Sequence, residues 1–409
     1  MLYNYPLPNE GILRYAIEKD KLTDEQYILI HSATNLPVDA IVEIPSEIYN
    51  TDLGKTLTVK TIDSCAFEDM VIDSVILPET IESILSCAFL NSKIKSINLP
   101  EGLTLLETSA FRDCYNLKEI SIPSTLSVIK EHTFTGCKDL TKVSFKEGLK
   151  SIHNSAFKRA SISSLNFPDS LTVIGEGAFE SCLVKDINFG KGLQIIHDEA
   201  FYDCSQLETV KFQEGISEIC DGAFCECKNL ISFILPDSLQ KLNNEALDNC
   251  ENLTHVHLGK NTKIVKGNDF CFSCNSIKKI TVNPENKQYY VKDDVLYDAE
   301  NKKLIKACPC SPISHIVVPP DIKDVCSYAF QKLNEVNTIR FQCDDLPNIA
   351  FSSLAYITPK DKLRVFCKPD SEIERYCRAQ DIKCNSISKL TSFLLQNNLE
   401  NNEKTTETK

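Results

Sequence analysis

The feature that most constrains this chain is an Ala-Phe pair that returns at a fixed beat. It stands at Ala66-Phe67, Ala88-Phe89, Ala110-Phe111, Ala156-Phe157, Ala178-Phe179, Ala200-Phe201 and Ala223-Phe224. Thr133-Phe134, Ala246-Leu247 and Asp269-Phe270 keep the beat with one substitution each, and the nine steps between successive positions are all 22 or 23 residues. A period of this size means one supersecondary unit repeated, so the 409 residues form one elongated stack rather than two or three globular domains.

The one-residue variation sits in a single place. After Phe111, Phe134, Phe201, Phe224 and Leu247 the next apolar anchor comes six residues on, at Leu117, Leu140, Leu207, Leu230 and Leu253. After Phe67, Phe89, Phe157 and Phe179 it comes five on, at Ile72, Ile94, Ile162 and Val184. The loop after the Phe absorbs the insertion and the rest of the coil stays in register. From the anchor the pattern runs through alternating apolar positions, as in Leu117, Ile120 and Ile122, which predicts a short strand with one buried face. Pro78, Pro100, Pro123, Pro168 and Pro236 end that strand because proline has no amide donor. A second extended piece, such as Leu171 with Ile174, leads into the Ala-Phe turn. A single coil cannot bury its own apolar edge, so neighbours must stack in parallel, about 4.7–4.9 Å apart, with the Phe of each coil in a shared core.

Cys114, Cys137, Cys182, Cys204, Cys227 and Cys250 each lie three residues after the repeat Phe or Leu247, which predicts a column of small buried thiols. The combined pattern, Cys-x-x-Leu-x-x-Ile-x-Leu-Pro followed by Leu-x-x-Ile-x-x-x-Ala-Phe-x-x-Cys, runs through residues 40 to 355 and resembles the BspA-like family of leucine-rich repeats. The resemblance implies a leucine-rich-repeat solenoid. Its form would be a curved right-handed superhelix with stacked parallel β-strands, short turns or helical turns on the other side, and caps at both ends. It also implies a surface antigen or adhesin that binds host or matrix protein.

The expected organisation is an N-terminal cap over 1–54, a repeat array over 55–282, a β-hairpin insertion over 283–318, resumed repeats over 319–355, a C-terminal cap over 356–386, and a short helix with a disordered tail over 387–409. Tyr27 to Ile30 and Ala40 to Ile44 read as strands of the first cap. Val295-Leu296-Tyr297 and Leu304-Ile305 around a polar turn read as a hairpin lying beside the stack, and Ala350-Phe351 as the close of a shortened coil. Leu363 to Phe366 reads as a strand and Pro369 to Gln380 as a helix.

A net charge of −13 argues against a nucleic-acid partner. No phosphate loop, nucleophile elbow or His-Glu-x-x-His occurs, so neither catalysis nor a cofactor is expected. Cys308 and Cys310 flank Pro309 at a spacing that resembles metal binding only weakly; Cys326, Cys343, Cys367, Cys377 and Cys384 could pair in an oxidising compartment, a metal- or redox-dependent role being the remote alternative. The N-terminus lacks the charged and apolar segments of a secretory signal, and no stretch reaches membrane-span length, which points to the cytoplasm where the resemblance points to the cell surface.

Binding is expected on the outward, concave face of the strands. The candidates are Glu119, Lys142, Asp186, Asn188, Thr209, Lys211, Ser232, His255, His257 and Lys279. The expected ligand is a protein, either extracellular matrix or another cell-surface protein, with a glycan as the second ligand class; an intracellular interaction scaffold is the alternative function.

Overall fold

The computed structural model describes residues 1–265, 273–343, 348–350, 353–354, 357 and 362–386. Phe270, Phe351 and the expected helix and tail over 387–409 lie outside the described residues. The chain winds as a solenoid with three ladders per coil. A front sheet uses the predicted alternating strands, for example Glu119–Ile122 parallel to Lys142–Phe145, and Ser232–Ile234, His255–Leu258 and Lys279–Val282 parallel to one another. A back sheet stacks two-residue strands, and seven of them run unbroken from Val128–Ile129 to Lys263–Ile264. The far side of the coil is therefore made of turns and short strands; the one helix among the described residues is Glu372–Ala379.

The Ala-Phe turn supplies the third ladder. The amides of Phe67, Phe89, Phe111, Phe134, Phe157, Phe179, Phe201 and Phe224 each donate to the carbonyl of the Ala or Thr that precedes the next coil's aromatic or Leu247, at 2.7–2.9 Å. Reaching this geometry puts left-handed residues on both sides of the Phe. Two residues before it, Cys65 to Glu245 have φ of 54–61°, and two after it, Asp69 to Asn249 have φ of 53–76°. Only Gly136, Gly177 and Gly222 among these are glycine. The others accept a conformation that costs roughly 1–2 kcal/mol each, and their own amides, such as Asp113 to Thr135 and Ser155 to Glu176, join the ladder in return.

Inside the coils the seven phenylalanine pairs from Phe67–Phe89 to Phe201–Phe224 stack with centroids 4.9–5.4 Å apart and planes within 10° of parallel. The ring spacing is set by the strand spacing. A second aromatic column, Phe145, Phe167, Phe189, Phe212 and Phe233, comes from the end or middle of the front strands and meets the first partly edge-on.

The expected thiol column is present, with Cys274 as a seventh member. Each Sγ donates to the carbonyl of the preceding coil's Phe, or Leu247 for Cys274, at 2.9–3.3 Å. Burial pushes Cys182 up to about 12 from an ordinary 9.0, and raises Cys137, Cys204, Cys227 and Cys274 well above that ordinary value too. These are neutral thiols, not metal ligands or nucleophiles.

At the N-terminus, Ile12–Lys19 pairs antiparallel with Tyr3–Pro6 and with Gln26–Thr34. Coil geometry already begins here, because Ile28–Ile30 pairs parallel with Val59–Ile62, and Ala40–Glu43 pairs parallel with the front strand Ile72–Ile76. At the C-terminus, Arg364–Cys367 and Cys384–Ser386 continue the front sheet around the helix Glu372–Ala379. The helix starts later than Pro369 because Asp370 is left-handed and Ser371 is the N-cap, its hydroxyl accepting from the Glu374 amide.

Two expectations are corrected. The hairpin Val295–Asp298 with Lys303–Ala307 does not lie beside the stack; it is a wall within it, nearly every residue buried on both faces. Leu296 and Ile305 face the large core of the first coils, whereas Val295, Tyr297, Leu304 and Ala307 face a second core that runs to Ile382. Period-two alternation permits this, since each strand offers two apolar faces. Nor does Ala350 hold the Ala position of the turn. The Asn348–Ile349 strand pairs with Asp324–Val325, and the Phe330 amide donates to Ser353, so Ser353-Leu354 stands there. Ser353 is tolerated at full burial because its hydroxyl reaches the carbonyls of Ala350 and Cys326.

Replacing Phe179 by Ala should destabilise the protein by about 3–5 kcal/mol, read from chemical denaturation. The buried thiols predict alkaline lability. Below pH 9 folded and unfolded chains hold these protons equally; above it the unfolded chain releases protons that the folded one keeps, so stability falls as pH rises toward 12. Circular dichroism of denaturation midpoints against pH checks this, and replacing Cys182, Cys204 and Cys227 by Ala should flatten the decline.

Candidate binding face

Front-strand register lines up the ten sequence-predicted residues in two outward columns. Glu119 sits beside Lys142, Asp186 beside Thr209, Ser232 beside His255 and His255 beside Lys279; in the second column Asn188 lies beside Lys211 and His257 beside Thr281. Alternation forces this, because the intervening Ile120, Ile187, Val210, Phe233, Val256 and Ile280 are buried.

Several of the ten spend their polar groups on neighbours in the same column. Lys142 Nζ is 3.5 Å from Glu119 Oε2 in an exposed pair. Thr209 donates to Asp186, and Asn188 donates to Asn166 Oδ1 at 2.7 Å. Such exposed pairs contribute little to stability, but they leave a flat, internally satisfied surface.

The arrangement changes at the end of the first array, where His255 and His257 converge. His255 Nε2 lies 3.1 Å and His257 Nδ1 2.9 Å from the hydroxyl of Thr281, which bridges the two rings from the neighbouring strand. Burial, with help from the Lys279 cation and from His257, lowers the pKa of His255, so the ring is neutral at neutral pH and offers both a donor and an acceptor. Beside them a groove of about 440 Å³ opens where the front strand Lys279–Val282 turns into Tyr289–Lys292, lined by Lys279, Thr281, Asn283, Tyr290 and Asp294 among others.

The groove is a built feature. Asn286 fixes the connection by donating to the carbonyls of Gly259 and Thr262 while accepting from the amides of Gln288 and Tyr289. Asn283 donates to Asp237 Oδ1. Tyr289 hydroxyl accepts from the Ile264 amide at 3.1 Å, meeting a hydrogen bond that the last strand of the back sheet would leave open. Tyr290 stacks on Tyr297 at 5.1 Å, which holds its ring at the groove wall.

The structure thus brings His255, His257 and Lys279 together on neighbouring strands, where Lys279 and Thr281 also line the groove, and leaves Glu119, Lys142, Asp186, Asn188, Thr209, Lys211 and Ser232 spread along the face. Sequence reasoning missed Tyr290 and Asp294, having assigned them to a separate insertion. The one available signal was Asn283-Pro284 directly after the last front strand, a turn too short to carry the hairpin away. No group of three or more His, Cys, Asp or Glu suited to a metal occurs among the described residues. Cys308 is buried in the core while Cys310 is exposed and its Sγ donates to the Asn275 carbonyl, so this pair diverges.

A parallel solenoid with leucine and isoleucine columns, a phenylalanine stack and an outward face of aligned strands is a leucine-rich-repeat scaffold, a fold that typically serves binding. The match is specific: the model of the BspA type leucine rich repeat region (6 copies) fits residues 60–185, 172–301 and 307–404, so the chain belongs to that family. Among solved structures it is similar to a leucine-rich repeat protein from Bacteroides ovatus, at 18% identity and a TM-score of 0.53 over 94% of this chain and 100% of that one. It is also similar to the pneumococcal vaccine antigen PcpA, at 17% identity and a TM-score of 0.51 over 94% and 98%. No curated protein matches the sequence. No helix among the described residues is long and apolar enough to cross a membrane.

In a proton NMR titration, His255 should turn over below the ordinary 6.5, and Lys279→Gln should raise its midpoint only part of the way back, since burial is the larger cause.

Proposed function

We propose that this chain is a non-catalytic protein-binding solenoid of the surface-antigen or adhesin type, which takes an extended segment of a host or matrix protein along the front face. The observation that carries the proposal is the convergence of His255 and His257 on Thr281 beside a groove lined by Lys279, Thr281 and Tyr290, at the end of a polar face. An aromatic ring and a lysine at the groove, with two partly buried imidazoles beside it, can anchor a chain, whereas the short side chains along the rest of the face can follow it without large entropic loss. The likeness of fold to a vaccine antigen supports the surface setting. A glycan is the second ligand class that the polar face suits.

A second reading, an intracellular interaction scaffold, is favoured by one observation. Each ladder thiol is buried and directed at a backbone carbonyl rather than at a second sulfur, an arrangement that needs no oxidising compartment. The same face would then serve a different partner.

The test is surface plasmon resonance over immobilised collagen, fibronectin and laminin. The protein should bind at least one of them, and replacing His255, His257 and Lys279 together by Ala should weaken that binding about tenfold or more with the fold intact by circular dichroism. Binding that survives the triple replacement would move the site elsewhere on the solenoid; no binding by the unaltered protein would favour the intracellular reading.

A further inference from the structure

Three cysteines of the C-terminal segment stand outside the repeat column. Cys367 ends the front strand Arg364–Cys367, Cys384 begins the neighbouring parallel strand Cys384–Ser386, and Cys377 lies buried on the helix between them. The register sets Cys384 opposite Val365, so Cys367 and Cys384 share a face of the sheet one pleat apart. Their sulfurs are 2.8 Å from each other. Here they differ from the column thiols, each of which is directed at a backbone carbonyl. A sulfur–sulfur bond is about 2.05 Å long, so a movement of under about 1 Å at the sulfurs would close this one.

We propose that Cys367 and Cys384 form a disulfide under oxidising conditions, and that this bond staples the C-terminal end of the solenoid. Cys384 is half-buried and Cys367 fully buried, which sets the order of events. The Cys384 thiolate attacks one sulfur of oxidised glutathione and expels a glutathione thiolate, giving a mixed disulfide. The Cys367 thiolate then attacks the Cys384 Sγ, forms the protein disulfide and expels the second glutathione. Two protein thiols are oxidised, one glutathione disulfide is reduced, and the two protons pass to the departing thiolates. The closed loop spans 17 residues of sequence separation and contains the helix, whose Ile373 and Cys377 cover the end of the second core. An end coil has a neighbour on one side only and opens before the middle of the array, so a cross-link there acts where the fold is weakest.

The purified full chain, incubated with oxidised glutathione or with dithiothreitol, is denatured in N-ethylmaleimide and digested with trypsin. Cleavage at lysine and arginine, with the Lys368-Pro369 bond resisting trypsin, places Cys367, Cys377 and Cys384 on three different peptides, 365–375, 376–378 and 384–389. The expected result is a 365–375 to 384–389 cross-link in the oxidised sample that dithiothreitol abolishes. Limited trypsin cleavage after Arg375 and Arg378 should also slow by about tenfold or more on oxidation, and Cys384→Ser should remove that protection. Full maleimide labelling of both cysteines after oxidation, or a dominant link from either to Cys377 or Cys343, overturns the proposal. The peptide map needs no variant, so it decides the pairing even where Cys384→Ser does not fold.

Discussion

Everything in this solenoid hangs on the hydrogen bond from the amide of each repeat phenylalanine to the carbonyl that precedes the next coil's aromatic. That bond, at 2.7–2.9 Å, fixes the rise of each coil at its turn, where no side-chain alternation could fix it. Once the rise is set, the rings of Phe67 to Phe224 have no choice but to stack face over face. The thiol then answers a problem the turn creates. The Phe carbonyl points into a dry interior, and a Cys Sγ from the following coil donates to it at full burial. The same carbonyl also accepts the amide three residues on, as Phe179 does from Cys182, so the thiol adds a second bond and a small apolar residue can stand in for it. Where the column lacks Cys, Ser92 is fully buried in its place and Ala160 nearly so, both small.

A stack built this way is strong in its middle and exposed at its ends, and the chain handles the ends by abandoning the repeat. Antiparallel strands cover the first coil, and Tyr289 hydroxyl caps the back sheet where the first array stops. The hairpin that follows is a partition rather than an ornament. By burying both of its faces it ends one core and starts another, so the array can change register without opening to water. The Ala307 amide, donating to Ala329, takes up the ladder again on the far side.

What could be read from the residues followed from which of them the ladder constrains. The Phe, the Ala, the buried strand positions and the Cys all recur at fixed phase because stacking punishes any departure, and each was legible. The left-handed residues flanking the Phe were not, because the ladder compensates them so well that Asp69, Arg159 and Glu226 serve as readily as Gly136. The placement of the hairpin was missed for a related reason: a strand with two apolar faces has the same composition whether it lies against a core or divides it. Ser353 concealed its turn position, since a hydroxyl satisfied by two carbonyls can fill the place of Ala without resembling it.

The outward face escapes this logic, and that is why the ligand is harder to read than the fold. Positions such as Glu119, Lys142 and Lys211 project into solvent, and nothing in the ladder selects among residue types there. A residue on that face carries information about binding only where it departs from what an idle surface would hold. Most of the face is paired along its own columns and departs little. At the last front strand before the hairpin, the rule changes: two imidazoles turn onto one threonine, a tyrosine is locked by its neighbour, and an asparagine ties the connecting loop to two carbonyls. The bonds that seat the connecting loop and its Tyr289 cap therefore also shape the groove beside the two imidazoles, so this stretch of the face differs from the rest in form as well as in composition.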